Sequence, residues 1–349
     1  MTAEQTKIEQ LAEHKQSIWL DYISRSLLDG GKLQALIAQG LRGLTSNPSI
    51  FDKAISTSTD YDAQIVYLKN QKKSIFEIYD DLTVRDIQDA ADMFKPVYER
   101  TRGQDGYVSL EVNPKLAYDT AGTIEEARRL HKKVDRPNVM FKVPATDNGF
   151  AAVEALLAEG INVNVTLIFS LEQYERTAQA YVNGIAKRSD RKHDISTIRS
   201  VASVFVSRID TVTDDLIQVK AVSVTDQEAK KELTLLTGRA AVANSGLIYA
   251  RYRELFSNDR FQKLASAGAH AQRVLWGSTS TKNPAYSDIK YVTELIAAGT
   301  VNTIPEKTLD AFLDHGTVKD ALTDDTTPYR KIIENLKTCG VDVNEVCAK

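Results

Sequence analysis

Short runs rich in β-branched and aromatic residues alternate along this chain with longer stretches in which apolar residues recur every three or four positions. The short runs predict strands, and the longer stretches predict helices that bury one face. The predicted strands are Ile18–Asp21, Gly43–Ser46, Tyr107–Glu111, Val139–Val143, Asn162–Leu167, Val201–Val206, Arg273–Gly277 and Val301–Ile304. Repeated strand–helix units favour a parallel sheet, and eight of them favour an α/β fold of the (β/α)8 TIM-barrel type. An open sheet with a second, helical domain is the alternative.

Helical spacing is clearest in Ile124–Leu130, Ala151–Leu157, Ser170–Ile185 and the long stretch Asp226–Phe256. Two connections, about 52–102 and 208–272, exceed the usual length of a loop and are dense in Ala, Leu, Glu, Lys and Arg. We therefore expect one barrel domain over residues 1–349, with helical insertions in those two segments and a short C-terminal extension over 323–349.

Composition narrows the class of protein. The chain has 349 residues, with 44 Lys and Arg against 47 Asp and Glu, so its formal net charge is −3. A protein that binds nucleic acid is usually basic, so we expect no nucleic-acid partner. No apolar run approaches the ~18 residues of a membrane span, and the polar start of the chain lacks the apolar region of a signal peptide. We expect a cytoplasmic protein without a membrane partner.

Several kinds of chemistry lack their usual residues. The two cysteines, Cys339 and Cys347, lie near the C-terminus, and the five histidines are far apart in the sequence. Neither the Gly-rich dinucleotide fingerprint nor a P-loop occurs. We therefore predict no metal and no cofactor, and expect carboxylate, hydroxyl, amide and lysine side chains to carry any chemistry.

Lys142 is the most informative residue, because it interrupts the apolar run Val139–Val143. Strand alternation puts Lys142 on the same face as Met140, which is the luminal face if helices cover the outside of the barrel. A desolvated lysine has a lowered pKa and can add to a carbonyl group to form a Schiff base. A lysine at a strand end that reaches solvent or pairs with an acid is the alternative, and the pattern alone does not separate the two.

Polar residues recur near the C-terminal ends of the predicted strands, where barrel enzymes place their sites. They are Asp21, Asn47, Glu111, Asn164, Thr166, Ser203, Arg208, Ser280 and Lys282. Each one alone has a structural explanation, such as a helix cap, an ion pair, strand filler or a surface charge. Convergence of all of them on one face with Lys142 would instead indicate an active site.

Five ordered blocks resemble the transaldolase family over about residues 18–321. They are Gly43–Phe51, Glu111–Thr120, Val139–Gly149, Gly160–Ser170 and Ser203–Asp210. The first resembles one family signature, and the third resembles the signature that carries the Schiff-base lysine. Trp19, Leu20 and Asp21 with Ser24 and Arg25 are similar to the longer bacterial branch. The resemblance implies a (β/α)8 barrel.

The resemblance also implies a function. Transaldolases of the pentose phosphate pathway move a dihydroxyacetone unit from sedoheptulose 7-phosphate or fructose 6-phosphate to glyceraldehyde 3-phosphate or erythrose 4-phosphate. By resemblance, Lys142 forms the imine, Asp21 exchanges the C4 hydroxyl proton, and Glu111 with Thr166 holds a proton-shuttling water. The substrate-binding residues implied are Asn47 and Asn164 for hydroxyl groups, and Ser203, Arg208, Ser280 and Lys282 for the phosphate.

Two departures from the family pattern bear on this expectation. Family members more often carry arginine where Lys282 stands, and a lysine keeps the charge but not the planar fork. The C-terminal helix that folds over the site in the family is expected here to be short, rebuilt or missing. An aldolase of the fructose 6-phosphate type, disfavoured because such relatives tend to carry glutamine where Glu111 stands, and a non-catalytic sugar-phosphate-binding protein are the alternatives. The pattern does not separate a monomer from a homodimer.

Overall fold

All eight predicted strands are present, each within two residues of its predicted bounds. A computed structural model describes residues 5–348 of the chain. The strands are β1 (Gln16–Leu20), β2 (Gly43–Thr45), β3 (Tyr107–Glu111), β4 (Val139–Pro144), β5 (Val163–Ile168), β6 (Ser200–Phe205), β7 (Arg273–Gly277) and β8 (Thr300–Ile304).

The strands form one closed parallel barrel in chain order. β1 closes it by pairing with β8 over five aligned residues, from Gln16 opposite Thr300 to Leu20 opposite Ile304. The predicted (β/α)8 barrel is confirmed, and the alternative of an open sheet is wrong, because the first and last strands are hydrogen-bonded to each other.

Strand alternation separates the lumen from the outer core. Six luminal side chains form a buried cluster in the N-terminal half of the barrel: Trp19, Tyr107, Met140, Val201, Leu275 and Val301. Gly43 leaves room for this packing, since a Cβ there would lie 2.6 Å from the Trp19 ring. The intervening residues, such as Phe141 and Val143, face the larger core under the helices. Residues two positions beyond the luminal cluster therefore point into the C-terminal half of the lumen.

Helices follow the strands and fill the long connections. Within residues 5–348 they are α1 (Lys7–Glu13), α2 (Arg25–Asp29), α3 (Lys32–Ala38), α4 (Pro48–Ser56), α5 (Asp62–Asn70), α6 (Ile75–Arg100), α7 (Thr120–Val134), α8 (Asp147–Glu159), α9 (Leu171–Asp190), α10 (Ser207–Ser223), α11 (Gln227–Thr234), α12 (Ala240–Ser257), α13 (Asp259–Ser266), α14 (Lys290–Thr293), α15 (Glu306–His315), α16 (Thr327–Thr338) and α17 (Val343–Ala348), with a 3-10 turn at Pro114–Leu116. None of these helices is both long and apolar enough to cross a membrane.

The long helical stretch predicted over Asp226–Phe256 is wrong as one continuous element. It is divided into α11 and α12 by a turn at residues 235–239. Gly238 in that turn has φ +70°, which a side chain would strain, and its added Cβ would meet the Tyr286 ring at 2.7 Å. A left-handed glycine thus lies in the break, and an aromatic ring from the β7–β8 connection packs against it.

The C-terminal extension folds back onto the barrel through α16 and α17. Val343, Val346 and Cys347 of α17 are buried, and the Cys347 Sγ donates to the carbonyl oxygen of Phe169 at 3.3 Å. Burial raises the pKa of the Cys347 thiol to about 12. Phe169 follows β5, and its ring meets Phe205 at the end of β6 with centroids 5.6 Å apart. The last helix thus reaches the C-terminal end of the barrel.

Candidate active site

A cavity of about 190 Å³ opens at the C-terminal end of the barrel. Eight of the ten predicted site residues line it: Asp21, Asn47, Lys142, Thr166, Ser203, Arg208, Ser280 and Lys282. Glu111 and Asn164 are not in its wall, but both contact residues that are. Side chains from six strands or the loops that follow them thus meet at one place, as expected for the site of a barrel enzyme.

Lys142 points into the lumen from β4, and only 6% of it is exposed. Its Nζ donates to the carbonyl oxygen of Ser46 at 3.1 Å and lies 3.4 Å from Oε2 of Glu111. Of the two sequence interpretations, the lysine thus both enters the lumen and pairs with an acid, whereas it does not reach bulk solvent. An amine held in this way faces the cavity with little of its own surface exposed, which suits addition to a carbonyl.

Asp21 follows β1 and accepts a hydrogen bond from Thr45 Oγ1 at 2.8 Å. Thr45 Oγ1 also lies 2.6 Å from Thr303 Oγ1. Each hydroxyl has one proton, so Thr303 donates to Thr45 while Thr45 donates to Asp21. Burial raises the pKa of Asp21, and the positive charge of Lys142 opposes that shift. The carboxylate is therefore a stronger base than an exposed aspartate, held in one orientation by a chain of hydroxyls.

Thr166 lies on β5, at a point where the strand is irregular. The pairing between β5 and β6 shifts between Val165 and Ile168, and Leu167 adopts φ +62°. A bulge of this kind redirects neighbouring side chains and is common beside active sites. Thr166 is buried and lines the cavity, and within residues 5–348 its Oγ1 has no hydrogen-bond partner. This hydroxyl is free to bind a water or a substrate group in the cavity.

Asn164 and Ser203 form a buried layer next to the cavity. Ser203 Oγ donates to Asn164 Oδ1 at 2.6 Å, and Asn164 Nδ2 donates to Ser109 Oγ at 3.1 Å. These bonds determine which way the amide of Asn164 points. Asn164 is completely buried, so the structure places it behind the cavity wall, supporting Ser203.

The side-chain amide of Asn47 faces both the start of α4 and the cavity. Its Oδ1 accepts from the backbone N–H of Ile50 at 2.9 Å, which caps the N-terminus of α4. The capping role expected as a structural alternative is therefore present. Because a cap uses the amide oxygen, the amide nitrogen is left for the cavity that Asn47 lines.

Cations and hydroxyls gather on the β6–β7 side of the cavity. Arg208 lies in the first turn of α10, and its guanidinium stacks 5.5 Å from the centre of the Phe205 ring. Lys282 Nζ donates to Ser280 Oγ at 2.7 Å, and both line the cavity from the loop after β7. Two exposed cations beside a helix N-terminus make a binding site for an anionic group.

Two tyrosine–aspartate hydrogen bonds hold the β7–β8 connection against α10. Tyr286 donates to Asp214 Oδ2 at 2.6 Å, and Tyr291 donates to Asp210 Oδ2 at 2.8 Å. Asp214 and Asp210 also accept from the backbone N–H groups of Gly238 and Ala241. Burial raises the pKa of Asp210 to about 6. The loop that carries Ser280 and Lys282 is thus anchored to the helix that carries Arg208.

Sequence reasoning missed several residues of the cavity. Three of them could have been found from strand alternation, because each lies two residues from a position already assigned to the lumen. They are Thr45, Phe205 and Thr303, next to Asn47, Ser203 and Val301 respectively on the same face. Ser278 lies in a loop with φ +53°, and no sequence pattern indicates its position. The role of the Ser46 carbonyl oxygen as an acceptor for Lys142 was equally invisible, since every residue carries a carbonyl.

Fold and site together define a (β/α)8 barrel whose C-terminal cavity presents a buried lysine near two carboxylates. Comparison with known proteins agrees with that class: the chain belongs to the Transaldolase/Fructose-6-phosphate aldolase family, whose model matches residues 18–349. It is 47% identical to a transaldolase of Trichodesmium erythraeum over 330 residues, covering 94% of this chain and 87% of that protein. It is 47% identical to a transaldolase of Arthrobacter sp. over 98% of this chain and 91% of that protein, and 45% identical to one of Mycobacterium ulcerans over 99% and 91%.

Proposed function

We propose that this chain is a transaldolase, which transfers a dihydroxyacetone unit between phosphorylated sugars through a Schiff base on Lys142. The observation that carries the proposal is the lysine itself, whose Nζ is buried in the lumen 3.4 Å from a Glu111 oxygen and lines the same cavity as Asp21. Family membership and the relatives named transaldolase support it.

The first half of the reaction forms and uses an imine. The neutral amine of Lys142 adds to the C2 ketone of fructose 6-phosphate or sedoheptulose 7-phosphate, and loss of water from the carbinolamine gives an iminium ion. Glu111 and Thr166 hold the water that carries protons in this step, a role worth ~10²–10⁴-fold in rate. The unpartnered Oγ1 of Thr166 supports its assignment.

Carbon–carbon cleavage follows. Asp21 takes the proton of the C4 hydroxyl, the C3–C4 bond breaks, and its electron pair moves into the iminium ion to give an enamine. The aldose phosphate leaves as an aldehyde. In the transfer half, the enamine carbon attacks the aldehyde of erythrose 4-phosphate or glyceraldehyde 3-phosphate, and Asp21 returns its proton to the new hydroxyl. Hydrolysis of the imine then releases the product ketose phosphate and the free lysine.

Binding groups are proposed on both sides of this chemistry. Arg208, Ser280, Lys282 and Ser203 hold the phosphate, supported by one cation in the first turn of α10 and a second in the loop after β7. Asn47 holds the hydroxyls of the dihydroxyacetone unit, and Asn164 acts from behind the cavity wall through its hydrogen bond with Ser203. We propose that the enzyme works in the cytoplasm, in line with the polar start of the chain. We propose a monomer or a homodimer. Sedimentation would distinguish the two, because one chain has a mass of 38.7 kDa.

One assay separates this function from the alternatives. The protein is incubated with fructose 6-phosphate, with and without erythrose 4-phosphate, and trapped with borohydride. A transaldolase makes sedoheptulose 7-phosphate only with the acceptor, and borohydride leaves an adduct on Lys142. Release of free dihydroxyacetone without acceptor would identify an aldolase instead. Absence of any adduct on Lys142 would leave a non-catalytic binding protein.

A further inference from the structure

A second cavity, of about 450 Å³, lies at the N-terminal end of the barrel, opposite to the lysine site. Its position follows from the residues that line it, since Gln16 and Ser17 begin β1 and Arg273 begins β7. Arg42 and Asp105 come from the segments just before β2 and β3. Nothing in the proposed reaction uses this end of the barrel.

The charge of this cavity is strongly positive. Lys15, Arg42, Arg253 and Arg273 line it together with one carboxylate, Asp105. These five side chains carry a formal charge of +3, whereas the whole chain carries −3. A cluster of cations in a concave surface concentrates the positive potential there and attracts anions.

The single carboxylate is already committed to the barrel. Asp105 accepts from Ser17 Oγ at 2.8 Å, from Arg273 Nη2 at 2.8 Å and from the indole Nε1 of Trp19 at 3.4 Å. Asp105 therefore neutralises Arg273 and, through Trp19, contacts the N-terminal end of the barrel lumen. The other three cations have no carboxylate partner in the lining of the cavity.

Those three cations make few hydrogen bonds or ion pairs with the described residues. Within residues 5–348, Lys15 and Arg42 form no ion pair, and the buried Nε of Arg42 has no hydrogen-bond acceptor. Arg253 has only an exposed carboxylate, Asp324, at 3.7 Å. Cationic side chains that outnumber the acids around them repel each other, so an anion between them would relieve that repulsion.

We propose that this cavity binds a small phosphorylated metabolite with at least two negative charges. The volume is in the range of small-molecule sites, and guanidinium groups match phosphate oxygens with paired hydrogen bonds. A ligand bound here contacts Arg42, Lys15 and Arg253 and stays separated from Lys142 by the buried layer of Trp19, Tyr107 and Met140. The proposal does not depend on the reaction at the other end.

Pyrophosphate serves as the probe, and the lysine-site cations are removed first so that the two cavities are not confused. In the Arg208→Gln/Lys282→Gln protein, calorimetry should detect saturable binding of pyrophosphate. Adding Lys15→Gln and Arg42→Gln should weaken that binding at least tenfold, since two charge-assisted contacts are lost. The matched control adds Lys69→Gln and Lys72→Gln, which remove the same charge from the exposed end of α5 and the turn after it and should leave the affinity unchanged.

A second readout locates the ligand. The chain has two tryptophans, so its indole N–H region has two signals. Trp19 donates to Asp105 beside the cavity, and its signal should shift with the same saturation curve as the calorimetry, while the Trp276 signal stays in place. Equal affinity in the Lys15/Arg42 variant and its control, a shift of Trp276 alone, or no binding at millimolar pyrophosphate would each overturn the proposal.

Discussion

At the scale of single residues, the chemistry depends on the amine of Lys142. Lys142→Met keeps the length and apolar body of the side chain and removes only the nucleophile. We expect turnover with fructose 6-phosphate and erythrose 4-phosphate to fall at least ~10⁴-fold, because no imine can form. Steady-state kinetics and the borohydride adduct measure this directly.

Lys282→Met is the matched control for that substitution. It removes an exposed cation of the same cavity, so it should raise KM for phosphorylated donors and leave the borohydride adduct intact. Full activity in Lys142→Met would remove this lysine from the mechanism, provided that circular dichroism shows the barrel folded in both variants.

Asp21 makes a prediction about pH. Burial raises the pKa of Asp21 above its ordinary value of 3.8, and the base is active only when deprotonated, so kcat/KM should fall with decreasing pH at a value above 3.8. The Thr45 hydrogen bond stabilises the carboxylate form. Thr45→Val should therefore raise the pKa of Asp21 further and move the acidic limb to higher pH.

The same shift affects stability, with a definite sign. An acid whose pKa is higher in the folded state costs stability once it is ionised, and that cost is absent below its unfolded pKa. Asp21→Asn should thus raise the unfolding temperature at neutral pH, with a benefit that disappears as pH falls through the folded pKa.

The pH profile of kcat/KM has its own control. Thr279→Val, which removes a buried hydroxyl bonded to the Thr303 carbonyl oxygen, should leave the acidic limb where it was. An unmoved limb in Thr45→Val would show that Asp21 is not the titrating base.

Individual site residues were predictable where strand alternation determines their direction. Alternation put Lys142 on the same face as Met140, and the structure shows that this face is the lumen, since Met140 belongs to the luminal cluster and Val143 to the outer core. The same local rule does not reach Thr166, whose surroundings depend on a bulge, or Asn164, whose burial depends on Ser109 and Ser203 from other strands. Contacts made between strands leave no trace in the sequence of one strand.

At the scale of elements, the β7–β8 connection determines where the phosphate cations lie. Tyr286→Phe removes the hydroxyl that bonds Asp214 and leaves the ring on Gly238. A hydrogen bond of this kind contributes about 1 kcal/mol, so we expect a rise of about fivefold in KM for fructose 6-phosphate with kcat nearly unchanged. Kinetics with this donor and with unphosphorylated fructose measure the effect.

Two comparisons test that interpretation. Cleavage of unphosphorylated fructose should be unaffected, since it makes no use of the cations. Tyr252→Phe removes a similar hydroxyl, bonded to the Gly299 carbonyl oxygen at the other end of the barrel, and should leave KM unchanged. Equal changes for both donors would mean that the hydrogen bond supports the fold generally and not the phosphate loop.

Strands were easier to predict than helix breaks, for a physical reason. A strand such as Val139–Pro144 is buried on both faces, so its apolar run is visible in a few consecutive letters. The break between α11 and α12 instead contains a left-handed glycine, Gly238, on which the Tyr286 ring packs from nearly fifty residues further along the chain. Helical spacing on both sides of residues 235–239 hid a turn whose cause is tertiary.

At the scale of the whole molecule, the count of eight strand–helix units favoured a closed barrel over an open sheet. An open sheet covered by helices on both sides would also bury both faces, and the five aligned pairs between β1 and β8 show that this chain closes the barrel instead. The distribution of charge between the two ends was not predictable in this way. Arg42, Asp105 and Arg273 are separated by up to 231 positions in the sequence and meet only because the barrel closes.

This distribution of charge makes the last prediction, which concerns ionic strength. The chain carries −3 overall and repels phosphorylated sugars at long range, so their capture depends on Arg208 and Lys282 at the mouth of the cavity. Both cations are exposed and are screened over a Debye length of about 8 Å at physiological salt. Raising the salt concentration severalfold should lower kcat/KM for fructose 6-phosphate by about three- to tenfold.

Two controls test whether the phosphate contacts cause this salt dependence. Unphosphorylated fructose should show almost no change, and Arg208→Gln/Lys282→Gln should remove most of the dependence. If that variant kept the salt dependence of the unaltered protein, the phosphate would have to be captured by other residues than these two cations.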